Sequence, residues 1–148
     1  MSTTRIPFQT YMRQGAVELL TEFGQDFGIK LQVYPARPRT INPPTAFIDK
    51  MREAITFDAA RDRVVQVDIV IVWGEFDSKE AADQRDAFVD AFVDWVSDRY
   101  HAAHPSTVLE PRTVEDDPVF IAEWLPPERQ RPWFATTITL EGEYQGGF

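Results

Sequence analysis

Cysteine is absent from this 148-residue chain, which excludes disulfides, thiolate nucleophiles and cysteine-ligated metals. The same absence fits a reducing, cytosolic origin. No apolar run approaches the roughly 20 residues that a membrane-spanning helix requires, so no membrane partner is expected. The opening Met1-Ser2-Thr3-Thr4-Arg5 lacks the apolar stretch of a secretion signal. There is no phosphate-cradling glycine loop and no serine in a nucleophile motif, so catalysis is not expected. Positive charge is in deficit: 24 acidic residues face 15 basic ones, for a net charge of -9. A chain this acidic repels nucleic acid rather than collecting it, because phosphate contacts dominate that affinity.

Lysine is scarce as well, since 12 of the 15 basic residues are arginine. The planar guanidinium suits protein interfaces and paired carboxylates, although a high-GC genome produces the same bias through codon usage. What the chain does have is a core. Hydrophobic residues make up 43% of it, and a chain of this length buries roughly 70% of its unfolded surface. Without an internal repeat or a dividing linker, residues 1–148 read as one domain.

The strongest signals are adjacent. Arg63 to Trp73 reads as a strand in which Val65, Val67, Ile69, Ile71 and Trp73 share one face. Its other face, Val64, Gln66, Asp68, Val70 and Val72, is mixed. After a turn from Gly74 to Asp77, a long helix is predicted from Ser78 to about Ala103. Asp77-Ser78-Lys79-Glu80 resembles a capping box with Asp77 as the cap. Ala81, Phe88, Val89, Phe92, Val93, Trp95 and Val96 supply this helix's apolar face. Asp83, Asp86, Asp90, Asp94 and Asp98 recur on the other side at steps of three and four. Like charges so spaced repel, so this face is either solvated or turned toward arginines of another subunit.

A shorter helix is predicted from about Pro7 to Phe27, with Met12, Ala16, Leu19, Leu20 and Phe23 as its stripe and Gly24 and Gly28 as its punctuation. Lys30 to Tyr34 is a short strand candidate. Four prolines among residues 35–44 then exclude helix and leave a stiff segment bearing Arg37 and Arg39. It reads either as a docking element or as a crossover between strands. Thr45 to Phe57, bent near Asp49 to Met51, forms a hairpin with the central strand through a turn at Asp58 to Asp62. Thr107 to Val114 is a strand that Pro111 bulges or confines to an edge, followed by a turn at Glu115 to Pro118. Val119 to Leu125 is a short apolar segment, and Pro126 to Pro132 is a second charged loop carrying Arg129 and Arg131. Trp133 to about Tyr144 is the last strand, with Phe134, Thr136, Ile138 and Leu140 on one face and Glu141 on the other. Gln145 to Phe148 reads as a flexible end. Sheets with one apolar and one polar face are normally antiparallel and covered on one side. The expected fold is therefore α+β: a mainly antiparallel sheet with one long and one shorter helix packed on one face.

Two clusters merit weighing as chemistry. His101 and His104 stand three apart at the predicted helix end, a spacing that suits metal ligands, but no third ligand is in register and the helix dipole explains them as capping residues. Glu115, Asp116 and Asp117 could hold a hard cation, but their spacing is not that of a calcium loop and a solvated turn accounts for them.

Several strings taken in order resemble one family. Val33-Tyr34-Pro35-Ala36-Arg37-Pro38, Pro43-Pro44-Thr45-Ala46-Phe47-Ile48-Asp49, Gly74-Glu75-Phe76-Asp77-Ser78 and Asp90-Ala91-Phe92-Val93-Asp94 open the set. Thr113-Val114-Glu115-Asp116-Asp117-Pro118, Arg131-Pro132-Trp133-Phe134-Ala135-Thr136 and Thr139-Leu140-Glu141-Gly142 complete it. Together they resemble the tail-terminator neck proteins of long-tailed phages, especially those of actinobacteria. The resemblance implies an α+β subunit of a hexameric ring that caps the tail tube, ends its polymerisation and joins it to a head-completion protein of the neck. It implies assembly in the host cytoplasm, residence at the tail–neck junction of the virion, and no catalytic residue, metal or cofactor. Genomic DNA would pass through the ring without specific binding.

Charge and proline content place the expected interfaces at Arg37, Arg39, Asp86, Asp90, Asp94, Asp98, Arg129 and Arg131, and in the ring that the resemblance implies either the sheet face with Gln66, Asp68 and Glu141 or the aspartate-rich helix would lend negative potential to the channel wall. Two other readings stand beside this one. One is a different head–tail connector, such as a stopper or completion protein. The other is a small α+β enzyme or ligand-binding domain, with a pocket near Trp73, Trp124 and Trp133 and acids at Glu115 to Asp117.

Overall fold

Alternation in the central strand, Arg61–Glu75 (β3), dictates the architecture. Val65, Val67, Ile69, Ile71 and Trp73 project to one side, and none is more than 3% exposed. The structure, a computed structural model, describes residues 7–28, 31–57, 61–75, 78–98, 101–104, 107–119 and 133–146.

Chain order runs from helix Phe8–Phe27 (α1) to strand Gln32–Tyr34 (β1) and strand Thr45–Phe57 (β2), then through β3 to helix Lys79–Asp98 (α2). Strands His101–His104 (β4), Thr107–Val119 (β5) and Trp133–Gly146 (β6) follow. The six strands form one sheet in the order β1-β2-β3-β6-β5-β4. β1 runs parallel to β2, and every other pair is antiparallel. The fold is α+β, as expected. The proline-rich residues 35–44 serve as the crossover that the parallel β1–β2 pair requires. A register shift after Ile48 is the bend expected in β2.

Both helices pack on the face that β3 makes apolar. Met12, Ala16, Leu19, Leu20 and Phe23 of α1 join Phe88 and Phe92 of α2, Val67 and Ile69 of β3, and Ile138 and Leu140 of β6 in one core. Aromatic rings bind the helices to each other. Phe23 meets Phe88 edge-on at 4.9 Å and Phe92 edge-on at 5.2 Å. Trp95 donates its indole N–H to Asp26 at 3.0 Å. α1 ends at Gly28, whose φ of 80° is left-handed and whose N–H returns to the Gly24 and Gln25 carbonyls.

Several boundaries differ from expectation. α2 stops at Asp98, so both helices have 20 residues and neither is the longer. His101–His104 form an edge strand against Thr107–Leu109 instead of a helix end. His-Ala-Ala-His has no strong preference of its own, and pairing with β5 decides its state. The helix-dipole account of His101 and His104 therefore does not apply. Glu115 to Pro118 is strand, because the partner β6 continues past it and pairs Glu115 with Thr137 and Asp116 with Thr136. Gln145 and Gly146 likewise continue β6 instead of fraying. The cap of α2 is Ser78, whose Oγ accepts the Ala81 N–H at 3.2 Å. Asp77 lies outside the described residues, as do residues 58–60 of the expected hairpin turn and Trp124 with most of its apolar segment.

The second face of the sheet is not bare throughout. At its β1 end, Phe47, Val70, Val72 and Ala135 are buried together, with Tyr34, Ile41 and Trp133 packed against them. Ile41 belongs to the proline-rich crossover, so that segment lies over this part of the sheet. Among the described residues, nothing packs in this way over the rest of the face.

Candidate functional site

The open part of the sheet collects the polar residues of four strands. Register places Gln66 of β3 opposite Glu141 of β6, and Asp68 opposite Thr139. On the flanks, Lys50 of β2 stands opposite Asp68, and Glu115 of β5 stands opposite Thr137. Arg52, Gln66, Asp68, Arg112, Glu115 and Thr139 are among the residues that line an open groove of ≈ 500 Å³, and Glu141 is joined to it through Gln66 and Arg112.

Charges in this groove are tied to one another. The Arg112 Nε donates to a Glu141 carboxylate oxygen at 2.7 Å, and the other Glu141 oxygen accepts from the Gln66 amide at 3.3 Å. Thr139 donates its hydroxyl to Asp68 at 2.8 Å, while the other Asp68 oxygen lies 3.6 Å from Arg52. Arg112 sits at a register shift between Pro111 and Thr113, and this bulge leaves it outside the regular pairing. The expected trio Gln66, Asp68 and Glu141 is thus brought together on one face. The sequence reading missed the arginines that neutralise it. Pro111 marked the bulge in the sequence, but nothing there tied Arg112 to a strand partner.

A second polar chain crosses to the helix side. Buried Thr136 accepts the Trp73 indole N–H at 2.9 Å and donates its hydroxyl to Asp116 at 2.7 Å. Asp116 also accepts from Arg85 Nε at 3.0 Å, and Arg85 reaches Asp86 at 3.0 Å. Partial burial disfavours the charged Arg85 guanidinium, yet its hydrogen bonds to Asp116 and Asp86 outweigh that, so its pKa stands above the ordinary arginine value. Consecutive residues of a strand face opposite ways. Asp116 therefore joins the helix-side network while Glu115 lines the groove, and the two cannot converge on one cation. Among the described residues no group of three His, Cys, Asp or Glu side chains is placed to hold a metal.

The remaining predicted residues scatter. Asp86, Asp90 and Asp94 are exposed on α2, together with Asp83. Asp98 ends the helix, and its side chain lies outside the described residues. Arg37 is exposed on the crossover, with its guanidinium 5.6 Å from the centroid of Phe47. Arg39 is exposed on the same segment. Arg129 and Arg131 lie outside the described residues. Trp73 is buried on the helix side, whereas Trp133 packs with the second cluster on the opposite face, so the two do not share a pocket. No helix among the described residues is long and apolar enough to cross a membrane. Compared with models of known protein families and with curated protein sequences, the chain matches none.

Proposed function

We propose that this chain is a structural subunit of a phage neck, a tail terminator that rings the end of the tail tube, halts its growth and meets the head-completion protein. The family-like strings, in order along the chain, support that identity. The observation that carries it into the structure is the row of exposed aspartates, Asp83, Asp86, Asp90 and Asp94, along one side of α2. Of the four, Asp86 is tied to Arg85. In a ring around DNA, such a face lowers the barrier to transit by repelling phosphate. The groove around Gln66, Asp68 and Glu141 is a weaker source of negative potential, because Arg52 and Arg112 neutralise it. The channel wall is therefore assigned to α2, and the paired groove to contacts with neighbouring protein.

Light scattering and electron microscopy of the purified protein, with and without the tail-tube protein of the same particle, test the reading. A ring-sized species on the tube end, with shorter and more uniform tubes, is expected. A chain that stays unassembled with the tube and leaves tube length unchanged would overturn it.

A further inference from the structure

Among the described residues, the outer edge of β2 beyond β1 stands open over a long stretch with neither proline nor bulge. On that side β1 pairs only with Thr45, Ala46 and Phe47, so the backbone from Met51 to Phe57 has no strand partner among the described residues. The other flank of the sheet differs. β4 covers Thr107 to Leu109 of β5, and the stretch beyond carries Pro111, a bulge at Arg112, three acidic residues and Pro118. Prolines, bulges and charge are the usual guards of a strand edge. Met51 to Phe57 has no proline and no bulge, its charge is limited to the opposite-signed Arg52 and Glu53, and its end carries two large apolar side chains, Ile55 at 45% and Phe57 at 76% exposed.

We propose that this edge pairs with the same edge of a second copy of the chain, forming an antiparallel, two-fold ladder centred on Ala54. In that register Met51 faces Phe57 of the second copy, Arg52 faces Thr56, Glu53 faces Ile55, and Ala54 meets Ala54 at the axis. Every residue from Met51 to Phe57 is matched, no like charges stand opposite each other, and the exposed Phe57 covers a half-buried methionine. Moving the axis to Glu53 would set two glutamates against each other and put Asp49 against Phe57. Moving it to Ile55 would leave Met51 beyond the end of the opposing strand. A second copy is the occupant that the sequence of the edge itself favours, because two-fold symmetry makes one patch serve both sides. The contact goes beyond the ring reading. A two-fold pair closes on itself and does not by itself build a cyclic ring, so it is tested on subunits free of the tube.

The chain's lack of cysteine makes the test direct. Ala54→Cys should cross-link to itself under mild oxidation, since opposed residues on paired strands have Cβ atoms about 4.5–5.5 Å apart. Thr56→Cys, displaced from the axis on both copies, should cross-link at least ten-fold more slowly. In sedimentation equilibrium without tube protein, the native chain should be a concentration-dependent dimer, and Phe57→Arg should weaken it at least ten-fold with an unchanged thermal melt. A chain that is monomeric throughout, or equal cross-linking at positions 54 and 56, would overturn the proposal. Loss of the dimer would leave tube-dependent ring formation untouched, so the two readings fail separately.

Discussion

The two faces of one sheet behave as different materials. On the helix side, β3 and β6 present Val67, Ile69, Ile138 and Leu140, each fully buried beneath two helices. On the other side, the same strands present Gln66, Asp68, Thr139 and Glu141 in ionic and hydrogen-bonded pairs beside solvent. Burial of apolar area stabilises by roughly 25 cal/mol per Å², whereas an exposed ion pair contributes about 0–1 kcal/mol. The helix face therefore holds the fold, and the open face adds little to it. Between them lies the small cluster around Phe47 and Val70, where the crossover turns part of the open face into core.

The largest test of that contrast is Phe88→Ala. Phe88 is fully buried and contacts Phe23, Phe92 and Trp73 through ring centroids 4.9, 5.9 and 5.1 Å away. A loss of about 3–5 kcal/mol is expected in denaturant unfolding, as for other buried phenylalanines. A loss below about 1 kcal/mol would mean that the helices do not seal this face.

Thr136→Val comes next, at about 1–3 kcal/mol by the same measurement. The substitution conserves shape but strands the buried Trp73 N–H and removes one bond from Asp116. Gly142→Ala probes the same face from its backbone. A Cβ there would sit 1.8 Å from the end of Met12 and 3.2 Å from Leu109, so the buried Met12 side chain must repack, at a cost of about 1 kcal/mol. On the open face, Arg112→Ala should cost no more than about 1 kcal/mol, and high salt should shrink the effect. If Arg112→Ala rivals Thr136→Val, the groove is structural and the contrast between faces fails.

Where a side chain's partner lay close in sequence, it was legible there. The α1 stripe from Met12 to Phe23 is buried as its periodicity required, and the β3 alternation holds through Trp73. In α2 the stripe is narrower than the list of apolar residues implied, because Val93 stands five residues from Phe88, off the buried face, and is 49% exposed. The partners of Asp68 and Glu141 were not legible. Arg52 and Arg112 are brought to them by strand register, and register depends on a bulge at Asp49 and another at Arg112 that local sequence only hints at. Glu115 to Pro118 misled for the opposite reason. Its turn-like composition was overridden by the length of β6, which offers every one of those residues a strand partner.

The smallest expected effect concerns the acidic side of α2. Asp83, Asp86, Asp90 and Asp94 stand three and four residues apart, and each such like-charged pair costs a few tenths of a kcal/mol. Arg85 offsets the charge of Asp86, which leaves Asp90 and Asp94 as the more costly neighbours. Both lie in the half of the helix whose dipole end is negative, whereas Asp83 lies nearer the positive end. Asp94→Asn should therefore stabilise the isolated subunit by about 0.3–0.5 kcal/mol, Asp83→Asn by less, and the difference should fade in high salt. Retention of these residues then reflects a requirement outside the subunit's own stability. On the proposed ring reading, the same Asp94→Asn change should slow DNA passage, read as delayed genome release from particles carrying it. A subunit destabilised by Asp94→Asn would show instead that the carboxylate has a partner within the fold, and the channel assignment of α2 would fall.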